Sequence, residues 1–190
     1  MSAAVLTFCM DSSVTQGQWD SLRALIRSVS AGDSFQGKRL RSVQAEAVRS
    51  LEEFTEVVPF LTKLDLAADQ ESFPPDGTNL TAPADRYVRF SQTSGTSGQS
   101  LRVWDSAESW DWLLANWDTG YEWSGVTAGM TAYFAFSFGP FLGFWTAFES
   151  AVRRGVRAVP GGGLTTRARV HAIWRHGADV LCCTPSYALH

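Results

Sequence analysis

The sequence predicts an α/β protein, and three observations carry that class. From Thr131 to Cys183 the chain alternates as strand, helix, strand, helix, strand, the order that builds a parallel sheet with helices on its faces. A run of small and polar residues, Gln92 to Ser100, separates two segments of strand character. The preceding part shows helical periodicity. Residues 1–85 therefore read as a helical segment with an irregular linker, and residues 86–190 as the α/β part.

The elements follow in order. Thr15 and Gln18 form a possible capping box, and Trp19, Leu22, Leu25, Ile26 and Val29 follow at helical spacing until Gly32 and Asp33. A second helix is expected over Ser42–Phe54, with Val43, Ala47, Leu51 and Phe54 on one face and Pro59 as the stop. Asp65 to Asp85, with Pro74, Pro75 and Pro83, reads as irregular. Arg86–Phe90 and Leu101–Trp104 read as a strand hairpin. Asp105, with Glu108 three residues on, is the expected cap of a helix. Trp110, Leu113, Leu114 and Trp117 make one buried face of it, which assigns most of the local tryptophans to the core.

An aromatic strand is expected over Thr131–Phe138, then a helix from Gly143 to Arg154 closed by Gly155. Val156–Val159 is the next strand, Gly161–Gly163 a turn, and Thr165 or Thr166 the cap of a helix ended by Gly177. Asp179–Cys183 is the last strand, stopped by Pro185. Ligands gather at the carboxyl ends of such strands. That rule singles out the loop after Phe90 and the turns after Phe138 and Val159.

Composition excludes several classes. The chain has 190 residues, 45% hydrophobic and 18% charged, enough for a real core and, by length alone, for one domain. A net charge of −3 argues against a nucleic-acid binder driven by basic surface. No apolar run reaches the roughly 18 residues of a membrane helix, and Met1–Met10 lacks the basic start of a signal peptide. A cytoplasmic protein, not on a membrane, is expected. The three cysteines, Cys9, Cys182 and Cys183, form no CxxC pair, and the last two read as small buried hydrophobes. His171, His176 and His190 show no metal-ligand spacing, so no metal site is expected.

The loop over Thr93, Ser94, Gly95, Thr96, Ser97, Gly98 and Gln99 carries the chemistry. Its glycines let backbone N–H groups converge on an anion, and its hydroxyls add donors. It is neither a GxxxxGK loop nor a GxGxxG fingerprint. Thr93-Ser94-Gly95-Thr96-Ser97-Gly98-Gln99 resembles the phosphate-binding loop of adenylate-forming enzymes. More narrowly, the chain resembles the phenylacetate–CoA ligase family in four further segments. Val48–Phe54 with Pro59–Leu66 resembles its RSLEDL…PFTTKxDL segment. Gly139-Pro140-Phe141 resembles its YGxGLF segment, and Val159–Gly163 its VIPxSGG turn. Cys182–Leu189 resembles its ICCTPSYAL strand end.

The resemblance implies a fold and a reaction. The fold is part of the adenylate-forming large domain, with a mixed or parallel sheet and flanking helices. A carboxylic acid, aromatic or apolar, attacks the α-phosphorus of ATP to give an acyl-adenylate and pyrophosphate, and a thiol, usually CoA, takes the acyl group. Thr93–Gly98, with Gln99 beside them, would hold the β and γ phosphates with Mg²⁺, which stabilises the departing charge. Phe138, Phe141, Gly161 and Gly162 would line the acyl pocket. Three departures matter. Gln99 stands where the family has Lys or a similar residue, and Ser100 replaces its Pro, so phosphate contact is expected to be weaker. Phe138 replaces its Tyr, which favours a less polar acid. The family's adenine-binding segment, ribose-binding acid, hinge and catalytic lysine find no counterpart here. The chain therefore reads as the N-terminal portion of such a ligase, inactive alone, with an open sheet edge for a completing chain or a homodimer. No catalytic residue is assigned. The alternative is a non-catalytic phosphate-binding or interaction module of the same ancestry.

Overall fold

The computed structural model describes residues 14–94 and 100–189. Cys9, His190 and Gly95 to Gln99 lie outside the described residues. The chain divides into two compact units, Met1–Thr81 and Ala82–His190.

In the first unit, α1 (Gln16–Ser30) starts at the expected capping box. The Thr15 hydroxyl accepts from Gln18 N at 3.3 Å, and Gln18 Oε1 accepts from Thr15 N at 2.8 Å. Its inner face sets Ile26 against Val43, Ala45 and Val48, with Trp19 and Leu22 packed beside them.

The expected helix Ser42–Phe54 is not one element. A short α2 (Phe35–Leu40), capped by Ser34, precedes it, and Ala45–Ala47 is a single 3-10 turn. α3 (Leu51–Val57) then starts afresh. Ser50 is the cause. Its hydroxyl accepts from Glu53 N at 3.2 Å while its own backbone is extended, and a cap takes the chain out of helical geometry at that residue. The spacing of Val43, Ala47, Leu51 and Phe54 is therefore spread over separate pieces. Asp65–Asp85 is not irregular throughout either. α4 (Lys63–Ser72) enters it through a capping box between Thr62 and Asp65, and Pro74 and Pro75 come only after its end.

The second unit opens with β1 (Tyr87–Gln92) and β2 (Arg102–Ser106), an antiparallel hairpin with Phe90 opposite Trp104. The cap of α5 (Ala107–Trp123) is Ser106, which accepts from Ser109 N at 3.2 Å. Asp105 is not the cap. It stays in β2 and accepts from Ser109 Oγ at 3.0 Å. β3 (Thr131–Phe134) is followed by α6 (Leu142–Arg153), β4 (Arg157–Pro160), α7 (Thr166–His176), β5 (Val180–Cys182) and α8 (Pro185–Ala188). The three later strands form a parallel sheet in the order β4-β3-β5. β3 ends at Phe134, four residues before the expected Phe138, because Ala135–Phe141 leaves strand geometry to reach α6.

All four residues of β3 are buried, as expected of a central parallel strand covered on both faces. Ala132 and Phe134 meet Ala147 and Ala151 of α6, Tyr121 of α5, and Val156. Cys182 is half-buried against this cluster, and burial pushes its thiol up. The tryptophans depart from expectation. Trp110 is buried, but Trp112, Trp117 and Trp123 of α5 are 69%, 36% and 56% exposed. Only one edge of that helix meets α6. No helix among the described residues is long and apolar enough to cross a membrane.

A polar pin joins α5 to α6. Asp118 accepts from Ser150 Oγ at 2.7 Å and pairs with Arg153. Burial raises the Asp118 carboxyl, but these two donors outweigh it and hold it below the ordinary carboxylate value. A folded value below the unfolded one gives stability that is present at neutral pH and lost as pH falls through the folded value. Asp118→Asn is therefore expected to cost about 1 kcal/mol at neutral pH, as for a partly exposed charged hydrogen bond. Urea denaturation at successively lower pH should show the gap to wild type closing. A gap that stays constant with pH would refute the charge as its source.

Candidate functional site

The site is built from three connections that reach the same end of the fold. The first is the hairpin loop between β1 and β2. Below it, Thr93 N donates to Leu101 O and Leu101 N donates to Thr93 Oγ1, both at 3.0 Å. Thr93 thus closes the loop base. Its N–H is committed, and its hydroxyl hydrogen remains free to donate. Ser94 is exposed. The hairpin is held by Glu149 of α6, which accepts from Arg89 at 2.8 Å and from Trp110 Nε1 at 2.9 Å. The Arg89 guanidinium also lies 5.0 Å over the Trp110 ring, a cation–π contact.

The second connection runs from β3 to α6. Gln92 N, at the end of β1, donates to Pro140 O at 2.7 Å. That bond sets the loop base beside the Phe138–Phe141 turn. Phe138 has φ of +50°, a left-handed conformation costly for a bulky side chain. Aromatic packing holds it there: its ring lies 5.1 Å from Trp145 and 5.4 Å from Phe148. Gly139 O accepts from Trp145 Nε1 at 3.1 Å and from Phe141 N at 2.7 Å. The Phe141 ring meets Phe144 at 5.8 Å.

The third connection runs from β4 to α7. Gly161 N donates to Phe134 O at 2.8 Å and continues the sheet pairing past the strand. A Cβ on Gly161 would stand 2.6 Å from Tyr133 Oη, so nothing larger than glycine fits. A Cβ on Gly162 would stand at ordinary contact, 3.4 Å from the Phe138 ring. Phe138 and Gly162, named independently from the sequence, are therefore neighbours.

Two residues that the sequence reading left out complete the place. Arg169 of α7 donates through Nε to Gly161 O at 2.9 Å and through Nη1 to Ala135 O at 3.3 Å. It ties the second and third connections together. Its guanidinium lies 5.2 Å over the ring of Tyr187, whose hydroxyl donates to Thr166 Oγ1 at 3.1 Å. Thr166 and Arg169 draw the Tyr187 phenol below its ordinary value. Tyr133, fully buried in β3, has no hydrogen-bond partner for its hydroxyl among the described residues. Burial raises that phenol, partly offset by Arg169. A tyrosine inside an apolar parallel strand is the signal that could have exposed this cluster.

No protein-family model matches the chain, and no curated protein matches it. Solved structures do. An open conformation of 2-hydroxyisobutyryl-CoA ligase in complex with 2-HIB-AMP and CoA matches at 24% identity and a TM-score of 0.78, covering 90% of this chain and 40% of that one. The same ligase in its thioesterification state matches at 25% identity and a TM-score of 0.79, over 90% of this chain and 37% of that one. The chain spans about two fifths of the length of these structures. The α/β class and its match to part of an adenylate-forming enzyme fold are established. At such identity the likeness is one of fold, and it does not extend to the phenylacetate–CoA ligase family in particular.

The two adjacent glycines of the β4–α7 turn give a sharp contrast. Gly161→Ala should lower stability by about 1–3 kcal/mol, the cost of overpacking a tight site. Gly162→Ala should stay within about 0.5 kcal/mol. Thermal melts followed by circular dichroism measure both, and equal effects would contradict the assigned packing.

Proposed function

We propose that this chain carries the phosphate- and acid-binding portion of an AMP-forming acyl- or aryl-CoA ligase of the phenylacetate–CoA ligase kind. The observation that carries the reading is the Gln92–Pro140 hydrogen bond, which puts the base of the Thr93–Gln99 loop beside Phe138 and Phe141. The fold shared with a CoA ligase in complex with 2-HIB-AMP and CoA supports it.

In this reading the acid's carboxylate attacks the α-phosphorus of ATP, the bond to pyrophosphate breaks, and an acyl-adenylate forms. The CoA thiol then takes the acyl group and AMP leaves. The loop's work is electrostatic. Hydroxyls of Thr93, Ser94, Thr96 and Ser97 and N–H groups around Gly95 and Gly98 donate to the β and γ phosphates as pyrophosphate gains charge. Gln99 adds a neutral donor. Mg²⁺ would neutralise part of that charge. Phe138, Phe141, Gly161 and Gly162 would receive the acyl part, and their aromatic and glycine surfaces suit an apolar or aromatic acid.

Adenine binding and thiol transfer need residues beyond those named here, so this chain alone is read as inactive. Among the described residues no strand pairs with the outer edge of β5, and Leu181 on β5 and Val170 and Trp174 on α7 are exposed. We place there the further part of the fold that the matched structures carry. A second copy of this chain is the rival occupant, separable by light scattering. A cytoplasmic setting goes with ATP and CoA use.

Isothermal titration with ATP and Mg²⁺ tests the reading. Thr96→Val combined with Ser97→Ala should weaken binding about tenfold or more, the worth of hydrogen bonds to charged phosphate. Absence of ATP binding by a folded chain would sink the proposal. ATP–pyrophosphate exchange driven by an aryl acid is expected to be absent from this chain alone, and its presence would overturn the inactivity.

A further inference from the structure

Arg169 is placed unlike Arg86, Arg89 and Arg153 of the second unit. It is half-buried, it donates to two backbone carbonyls, and among the described residues no carboxylate pairs with it. Arg89, Arg86 and Arg153, by contrast, each pair with an acidic side chain. A partly desolvated cation held rigid without a counter-charge is costly to a protein that gains nothing from it. The fixed fork of a guanidinium suits a carboxylate. Next to it stands a second unspent group. The Tyr133 hydroxyl is buried, has no hydrogen-bond partner among the described residues, and lies directly against Gly161, whose carbonyl Arg169 holds. Tyr187 covers the guanidinium from the other side. All three groups sit at the carboxyl ends of β3, β4 and β5, where ligands bind in parallel sheets.

We propose that Arg169, with Tyr133 and Tyr187, forms the receptor for the carboxylate of an apolar acid. One cation matches one negative charge, which favours a carboxylate over a polyphosphate. Gly162, next to the carbonyl that Arg169 holds, lies against the Phe138 ring. The apolar body of the ligand is thereby offered an aromatic wall beside its charged end. Nη2 of the guanidinium, which neither carbonyl uses, is the edge offered to a carboxylate oxygen, and a small displacement of the Gly161 turn lets the Tyr133 hydroxyl donate to the same carboxylate. The assignment rests on the acid-activating reading of these strand ends and names the group that fixes the acid's charged end.

The test uses the full chain labelled with ¹⁵N and titrated with benzoate, benzamide, inorganic phosphate and ATP. Benzoate is expected to shift Arg169 Nε and the amides of Gly161 and Gly162, with benzamide and phosphate inert there. Tyr133→Phe removes an unpartnered buried hydroxyl. It should leave the melting temperature unchanged or higher, yet weaken benzoate about tenfold, the worth of a hydrogen bond to a charged group. A merely structural tyrosine cannot move the two readouts in those directions. Arg169→Gln should abolish the benzoate shifts, and Tyr133→Phe decides the matter if that variant does not fold. Equal shifts from benzamide or phosphate, or full benzoate affinity in Tyr133→Phe, would overturn the assignment. ATP shifting Thr93 and Leu101 while benzoate leaves Arg169 untouched would overturn the carboxylate receptor and leave the nucleotide reading standing.

Discussion

The second unit depends on one constraint: β3 must be paired on both edges and covered on both faces. Its four residues are all buried, with β4 on one side and β5 on the other, both parallel. Parallel pairing forbids tight hairpins and forces each return through a crossover. α6 supplies the crossover from β3 to β4, and α7 the one from β4 to β5. The connections leaving β3 and β4 therefore emerge at the same end. The hairpin is brought to that end from outside, by the Gln92–Pro140 bond and by Glu149 receiving Arg89 and Trp110. Burial of one short strand thus decides where every functional connection can lie.

The sheet was legible in the sequence because its signals are local and redundant. Gly155 and Gly177 both adopt positive φ at helix ends, at 75° and 57°, as a left-handed cap requires. Thr165 caps α7 by accepting from Ala168 N at 3.3 Å. Where signals compete, the reading fails. Val43, Ala47, Leu51 and Phe54 keep helical spacing across a break that Ser50 imposes, so periodicity alone could not see the break. In α5, apolar spacing marks the face that meets α6, but it says nothing of Trp112 and Trp123 on the other faces. Aromatic content is not burial, since much of any protein's surface is apolar.

The site divides along the same line. Phe138 and Gly162 could be named because they stand in short recognisable segments after strands. Their adjacency needed coordinates, because it is set by the turn that Phe138's positive φ makes. Arg169 and Tyr133 were not named, since neither belongs to a short motif. One is an ordinary-looking arginine in a helix, and the other is one aromatic among many in an apolar strand. Tyr133 left one signal, a tyrosine in an apolar strand, whereas Arg169 shows its part only through its hydrogen bonds to two carbonyls.

The strain at Phe138 and the unspent hydroxyl at Tyr133 belong to one argument. A left-handed phenylalanine costs on the order of 1–3 kcal/mol, and a buried unpartnered hydroxyl costs a similar amount. Tyr133 is the next-to-last residue of β3 and Phe138 lies four residues past its end, and both come within contact of the Gly161–Gly162 turn. A sequence selected for stability alone would remove both, with glycine at 138 and phenylalanine at 133. Aromatic packing from Trp145 and Phe148 holds the first in place, and the glycine turn seals the second. Two costs held together near the carboxyl ends of parallel strands fit the receptor proposed around Arg169.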